Sequence, residues 1–234
     1  MAPLIRNMSR HDAQWSKFKS SYMWNKVYYL RRSKFAVYQL ATTMVNVVQG
    51  VGISTLKQYD RIQGKDIPGF PDARVDTSDF VSSFAFNTFA CVFLALFFGA
   101  AVFFDLFWPE REEAPIIQWT WKLSAAASST FTLAAALTIS IIVATHGIHI
   151  NGVSAEQESI IRANWNGPSL EYRHDNRALA TVVTCWVTVV FTIWSTIIMW
   201  RAYAHNNKYG PFADHKRRVI SGESVSMENS PQQT

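Results

Sequence analysis

Residues 80–108 read FVSSFAFNTFACVFLALFFGAAVFFDLFW and carry one charged residue, Asp105, near their C-terminal end. This apolar run exceeds the roughly 20 residues that a helix needs to cross a bilayer. At about 1.5 Å per residue it extends about 43 Å, so it must tilt or project beyond about 30 Å of hydrocarbon. The stretch therefore predicts a membrane-spanning helix, which Pro109 ends.

Three further stretches predict spans, at residues 35–56, 119–145 and 178–200. Polar side chains interrupt the first of them, which makes it the least apolar. The middle of the stretch at 119–145 is rich in Ala and Ser. Small residues let membrane helices pack closely, so we expect this helix at the centre of the bundle.

These spans predict an all-α fold, an integral membrane four-helix bundle over residues 35–203. A basic and aromatic cytosolic segment over residues 1–34 precedes it, and a polar, disordered cytosolic tail over 204–234 follows. Residues 57–79 and 146–177 are predicted loops. The polar, basic lead has no secretory signal pattern, and no lipidation signal is present.

The distribution of basic residues predicts the orientation. Of the 22 Lys and Arg residues, fifteen belong to the N-terminal segment, the link after residue 108, the start of the third span and the tail. The two long loops carry the other seven. The positive-inside rule then places both termini in the cytosol.

Polar side chains of the first span recur at helical spacing: Gln39, Thr43, Asn46 and Gln49. Because amides facing lipid are costly, we expect this polar stripe to face the other helices. Two roles stay open, which are hydrogen bonding between helices and a polar path for a substrate or ion. The stripe has no ionisable residue, which favours the first role.

The N-terminal segment combines basic and aromatic residues at helical spacing, after a capping-box pattern at Ser9 and Asp12. The sequence leaves open a helix lying on the membrane surface or a loosely ordered tail. Each basic residue near an anionic leaflet contributes about 1 kcal/mol of binding. The candidate headgroup-binding residues are Lys17, Lys19, Lys26, Arg31, Arg32 and Lys34.

Other candidate sites carry weaker patterns. His146, His149 and His174 are candidate metal ligands, although they lack a tight ligand motif and also fit histidines at a helix end. Ser221 follows a pair of arginines and is a candidate phosphorylation site. No motif for nucleophilic or metal-assisted catalysis is present. Cys91 and Cys185 fall inside predicted spans, and we expect them to be packing residues, with a redox pair as the second reading.

Four spans, a short link between the second and third, and modest outer loops resemble the MARVEL-type tetraspan family, especially its fungal members. The first span adds the basic residue Lys34 followed by Gln39 and the later Gly50 and Gly52, which look like the entry and glycines of that family. The resemblance covers residues 31–203. It implies a membrane-organising or trafficking protein without catalysis, which self-associates or associates with lipid domains.

Function is accordingly expected to be non-enzymatic organisation of membrane domains or trafficking. Two alternatives stay open: an accessory subunit or small transporter using the polar stripe, and a membrane-embedded enzyme acting on a lipophilic substrate near the histidines. We expect no cofactor and no nucleic-acid partner. The expected partners are membrane lipids, anionic on the cytosolic leaflet, and a second copy or another membrane protein. The expected location is the plasma membrane or a secretory-pathway membrane.

Overall fold

Four long helices dominate the computed structural model, which describes residues 5–8, 14–67 and 69–219. These four are α2 (Arg31–Asp60), α3 (Ser78–Phe107), α4 (Pro115–Thr145) and α6 (Asn176–Tyr209). Two shorter α-helices are α1 (Ser20–Met23) and α5 (Ala155–Ala163). Short 3-10 helices cover Trp15–Phe18 and Tyr172–His174. The mainly helical class is confirmed.

Three of the long helices, α3, α4 and α6, are long and apolar enough to cross a membrane. The predicted spans at 80–108, 119–145 and 178–200 lie within one residue of these helices or inside them. The helix α2 covers the first predicted span but does not reach the same apolarity. These three helices therefore identify the chain as a membrane-embedded helical protein.

Local sequence sets several helix ends. Pro115 begins α4, where its missing N–H costs nothing. Ser154 caps α5 and forms a reciprocal capping box with Gln157. Gly210 follows α6 with a φ of +80°, a conformation that glycine adopts at helix C-termini.

Two small sheets occur that the sequence did not predict. Strand β1 (Ile5–Arg6) pairs antiparallel with β4 (Glu112–Glu113). Strands β2 (Asp66–Ile67), β3 (Phe70–Asp76) and β5 (His149–Asn151) form a second antiparallel sheet in the order β2-β3-β5. The prediction of plain loops at 57–79 and 146–177 was wrong, because strands this short are stabilised by pairing partners that are distant in sequence.

Part of the predicted disordered tail is helical. The helix α6 continues past Trp200 to Tyr209, and residues 214–219 are also helical. Arg217 and His205 both approach the carboxylate of Asp214, at 3.1 and 3.7 Å. Residues 204–219 are therefore ordered, and the prediction of disorder there was wrong.

The chain divides into two compact units. The first comprises residues 1–39, 97–126 and 194–234, and the second comprises residues 40–96 and 127–193. In the first unit, Phe35, Leu106 and Phe107 are buried together. In the second, Ala73 of β3, Ile150 of β5 and Ile161 of α5 form a small buried core.

Candidate functional site

A chain of ion pairs lies in the first unit and links α2, α3 and the segment that follows α3. Asp105 accepts from Lys34 Nζ at 2.6 Å and from Arg111 Nη1 at 3.0 Å. Arg111 also pairs with Glu113, which accepts a hydrogen bond from the hydroxyl of Tyr203 at 2.8 Å. The Arg111 and Glu113 side chains are only 9% and 4% exposed. We call these five residues the charge network.

Alternating charges make the network a self-compensating unit. Burial alone would lower the pKa of Arg111, but the carboxylates of Asp105 and Glu113 outweigh it and raise that pKa. Removing Asp105, for example, would leave Lys34 without its carboxylate, and a largely desolvated charge would then be unpaired. The sequence shows only that Asp105 is the one charged residue of the apolar run at 80–108, and the structure adds its partners.

A cavity of about 530 Å³ adjoins the network. Its walls include Arg31, Lys34, Asp105, Glu113 and Tyr203. A volume of this size falls in the range of small-molecule sites. Acidic and basic side chains both line it, so its surface has no single sign of charge.

The N-terminal segment packs against the end of α3. The ring of Phe18 contacts those of Phe103 and Phe107 edge-on, at centroid distances of 6.2 and 5.5 Å. The hydroxyl of Tyr28 donates to Glu110 at 2.7 Å, and burial together with that carboxylate raises the pKa of Tyr28. Over residues 14–30, two short helices and connecting turns precede α2, so this part of the segment is neither one continuous surface helix nor a loose tail.

The six predicted headgroup-binding residues divide into two groups. Three of them are engaged within the chain: Lys17 donates to the carbonyl of Phe107 at 2.8 Å, Arg31 is buried, and Lys34 belongs to the charge network. The other three present exposed side chains: Lys19, Lys26 and Arg32. Of these, Arg32 Nε also donates to the carbonyl of Trp24 at 2.5 Å.

Large aromatic side chains are exposed in the same segment as those three cations. Trp15 is 87% exposed, and Phe18 and Trp24 are each 40% exposed. Aromatic and basic side chains together are typical of surfaces at the headgroup level of a membrane. We call Trp15, Phe18, Lys19, Trp24, Lys26 and Arg32 the aromatic-basic surface.

The polar stripe does not face the other helices as predicted. Gln39, Thr43 and Asn46 are exposed, and the buried face of α2 carries apolar residues such as Ala41 and Val48. The exception is Gln49, whose Oε1 accepts from Thr88 at 3.3 Å. Helical spacing identified a shared face correctly, but a spacing does not say which face the neighbouring helices cover.

Sequence reasoning missed a buried amide in the second unit. Asn87 is 4% exposed, and its Oδ1 lies 3.6 Å from Cys185 Sγ and 3.9 Å from Cys91 Sγ. Both cysteines are free and buried. The sequence could have pointed to this residue, since Asn87 is the only side-chain amide in the apolar run at 80–108.

Two carboxylates of the second unit are held by tyrosines. Asp79 accepts from the hydroxyl of Tyr172 at 2.9 Å and lies 3.2 Å from His146 Nδ1. Asp175 accepts from the hydroxyl of Tyr59 at 2.9 Å. Burial and the charge of Asp79 raise the pKa of Tyr172, so this phenol stays protonated and donates.

The predicted histidines have other contacts. The ring of His149 lies 6.2 Å from that of His146, and His174 Nδ1 lies 3.4 Å from Glu171. Among the described residues, no group of three or more His, Cys, Asp or Glu side chains is placed to hold a metal ion. Ser221 and the capping-box pattern at Ser9 and Asp12 lie outside the described residues.

The chain matches no protein-family model, no curated protein and no solved structure. Its own helices and sites therefore define its class. It is a membrane-embedded helical protein with a buried charge network at one set of helix ends.

Proposed function

We propose that this chain is a four-span membrane protein of the MARVEL type, with both termini in the cytosol. In this account it organises its surrounding membrane without catalysis. It does so by packing with other helices and by holding anionic lipid on the cytosolic leaflet of the plasma membrane or a secretory-pathway membrane. Support comes first from the path of α2 and second from the aromatic-basic surface.

Contacts at the two ends of α2 support a fourth crossing. Near its start, Lys34 pairs with Asp105 close to the C-terminal end of α3. Near its other end, Tyr59 contacts Phe80 at the beginning of α3, with ring centroids 5.3 Å apart. Each contact lies within one unit. A continuous helix that meets both ends of a membrane-spanning helix has the length to cross the same bilayer.

Pairing of the N-terminal strand supports placing the N-terminus on the side of the link after α3. Strand β1 pairs with β4, which lies in that link. With an even number of crossings, the C-terminus belongs to the same side. The excess of basic residues in these segments makes that side the cytosol.

The aromatic-basic surface is the observation that carries the lipid part of the proposal. Its three exposed cations are free of the charge network, and exposed Trp and Phe side chains accompany them. Cations next to an anionic leaflet each contribute about 1 kcal/mol. Loss of three such contacts is therefore expected to weaken lipid retention at least tenfold.

Lipid retention tests this part directly. The full chain is purified in mild detergent, and the anionic lipid that remains bound is quantified by mass spectrometry. The variant K19Q/K26Q/R32Q is expected to retain at least tenfold less anionic lipid than the wild type, with neutral lipid unchanged.

A matched control removes three exposed cations from the second unit, as K57Q/R61Q/K65Q. This variant is expected to retain anionic lipid at the wild-type level. Equal losses in both triple variants, or no loss in either, would contradict the proposal that the aromatic-basic surface binds lipid.

A further inference from the structure

The exposed face of α2 differs from those of the other long helices. The exposed residues of α3, α4 and α6 in the second unit are mainly large and apolar, as with Leu96, Ile141 and Val190. Those of α2 include the large apolar residues Leu40, Val47 and Ile53. Polar and small residues lie among them: Thr43, Asn46, Gly50 and Ser54. We call these four residues the α2 polar face.

Hydrogen-bonding groups of this face are left unused within the described part of the chain. Asn46 Nδ2 donates to the carbonyl of Thr42 at 3.3 Å, one turn earlier in the same helix. A carboxamide has two donor hydrogens and an acceptor oxygen with two lone pairs. One donor and the oxygen of Asn46 therefore stay available at an exposed position.

The position of Asn46 makes its unused hydrogen-bonding groups costly in a membrane. Asn46 lies at the centre of the 30-residue helix Arg31–Asp60, so a crossing helix places it near the bilayer midplane. No water is available there to satisfy an amide. The face must be covered by a group that can accept and donate hydrogen bonds.

Gly50 gives a second, independent observation on the same face. A Cβ added at Gly50 would meet no atom within 4 Å, whereas one added at Gly52 would lie 1.9 Å from the Phe84 ring. Gly52 thus serves packing inside the chain, and Gly50 does not. A glycine within a helix costs about 1 kcal/mol relative to alanine, and in membranes it allows a second helix to approach closely.

We propose that the α2 polar face is the interface between two copies of this chain, with Asn46 facing Asn46 across a twofold axis. A carboxamide is self-complementary, because each copy donates from Nδ2 and accepts at Oδ1. A twofold interface brings the same patch of both subunits together, and Gly50, one turn away, lets the two helices approach. The inference rests on the proposed crossing of α2 and names the partner for its helix packing.

Cysteine cross-linking in native membranes tests the contact. The variant N46C is expected to form a disulfide-linked dimer under mild oxidation, at twice the mass of the chain. The control L96C places a cysteine on the exposed apolar face of α3, where Leu96 is 70% exposed, and is expected to stay monomeric. The natural cysteines are buried in both variants.

Co-purification of two differently tagged copies measures how strongly the copies associate. The variants N46L and G50L are each expected to reduce recovery of the second copy about tenfold. Both positions are exposed, so the thermal stability of the monomer in detergent is expected to be retained. A dimer of N46C no more abundant than that of L96C, or a cross-link to a protein of different mass, would overturn the proposal.

Lipid retention by the aromatic-basic surface is measured in the same preparations. A wild-type chain that stays monomeric while retaining anionic lipid normally would contradict the interface alone. Normal dimerisation with equal lipid loss in the two triple variants would contradict the lipid part of the proposed function alone.

Discussion

Asp105 accepts hydrogen bonds from two cations at once, with Lys34 Nζ at 2.6 Å and Arg111 Nη1 at 3.0 Å. Its side chain is 16% exposed, so neither solvent nor salt fully replaces these partners. The substitution D105N removes the charge while keeping the shape. Because it leaves Lys34 without its carboxylate and Arg111 with only Glu113, we expect it to lower the free energy of unfolding by about 3–5 kcal/mol. Thermal unfolding in detergent measures this.

The exposed ion pair between Arg74 and Asp66 provides the control for D105N. The Asp66 side chain is 71% exposed, and exposed pairs contribute about 0–1 kcal/mol. The variant D66N is therefore expected to unfold within a few degrees of the wild type. An equally small effect for D105N would contradict a stabilising role for the charge network.

Replacing Gly52 by alanine tests close packing between α2 and α3. The added Cβ would lie 1.9 Å from the Phe84 ring, and Phe84 is 1% exposed and cannot swing away into solvent. We expect G52A to destabilise the protein by about 1–3 kcal/mol. G50A is the matched comparison, since its Cβ meets nothing, and it is expected to be neutral or up to about 1 kcal/mol stabilising for the monomer.

The two thiols near Asn87 are expected to resist modification in the folded protein. Cys91 is 1% exposed and Cys185 is 3% exposed. A membrane-permeant maleimide should leave both unmodified under native conditions and label both after denaturation, as counted by intact mass. Rapid labelling of either thiol in the native state would show that this part of the second unit opens readily.

The lowered pKa of Asp76 predicts a specific dependence of stability on pH. Hydrogen bonds from Ser78, Gln63 and Asn151 lower its pKa below the ordinary value of 3.8. A carboxylate with a lowered pKa stabilises the folded state fully above the unfolded pKa and loses this contribution as the pH falls through the folded pKa. Below about pH 4, therefore, the wild type should lose stability relative to D76N.

Thermal unfolding of both proteins between about pH 6 and pH 3 measures this difference. At the upper end the wild type is expected to be the more stable, and the gap should close as the pH falls. A gap that stays constant over this range would show that the charge of Asp76 makes no contribution.

The apolar helices could be predicted from sequence because length and composition suffice for a membrane span. The run at 80–108 needs no partner to be recognised, and Pro109 marks its end. The charge network could not be predicted, because Lys34 and Asp105 are far apart in sequence and their pairing depends on how α2 lies against α3. The short strands were missed for the same reason, since β3 and β5 are paired only in the folded chain.

The polar stripe illustrates a different limit of prediction from sequence. The spacing of Thr43 and Asn46 correctly places both on one face of a helix. The expectation that this face turns inward assumed that the chain itself supplies the cover. Both residues are exposed, so the same cost of an uncovered amide now favours a cover supplied by a second molecule.

The crossing of α2 is the central claim, and maleimide labelling of single cysteines tests it most directly. Cells that express S16C or K65C, both at exposed positions, are labelled with an impermeant reagent when intact, after digitonin treatment and after full solubilisation. If α2 crosses the membrane, the two cysteines lie on opposite sides and react at different steps, with S16C reacting when digitonin opens the plasma membrane. Reaction of both at the same step would contradict the four-span account.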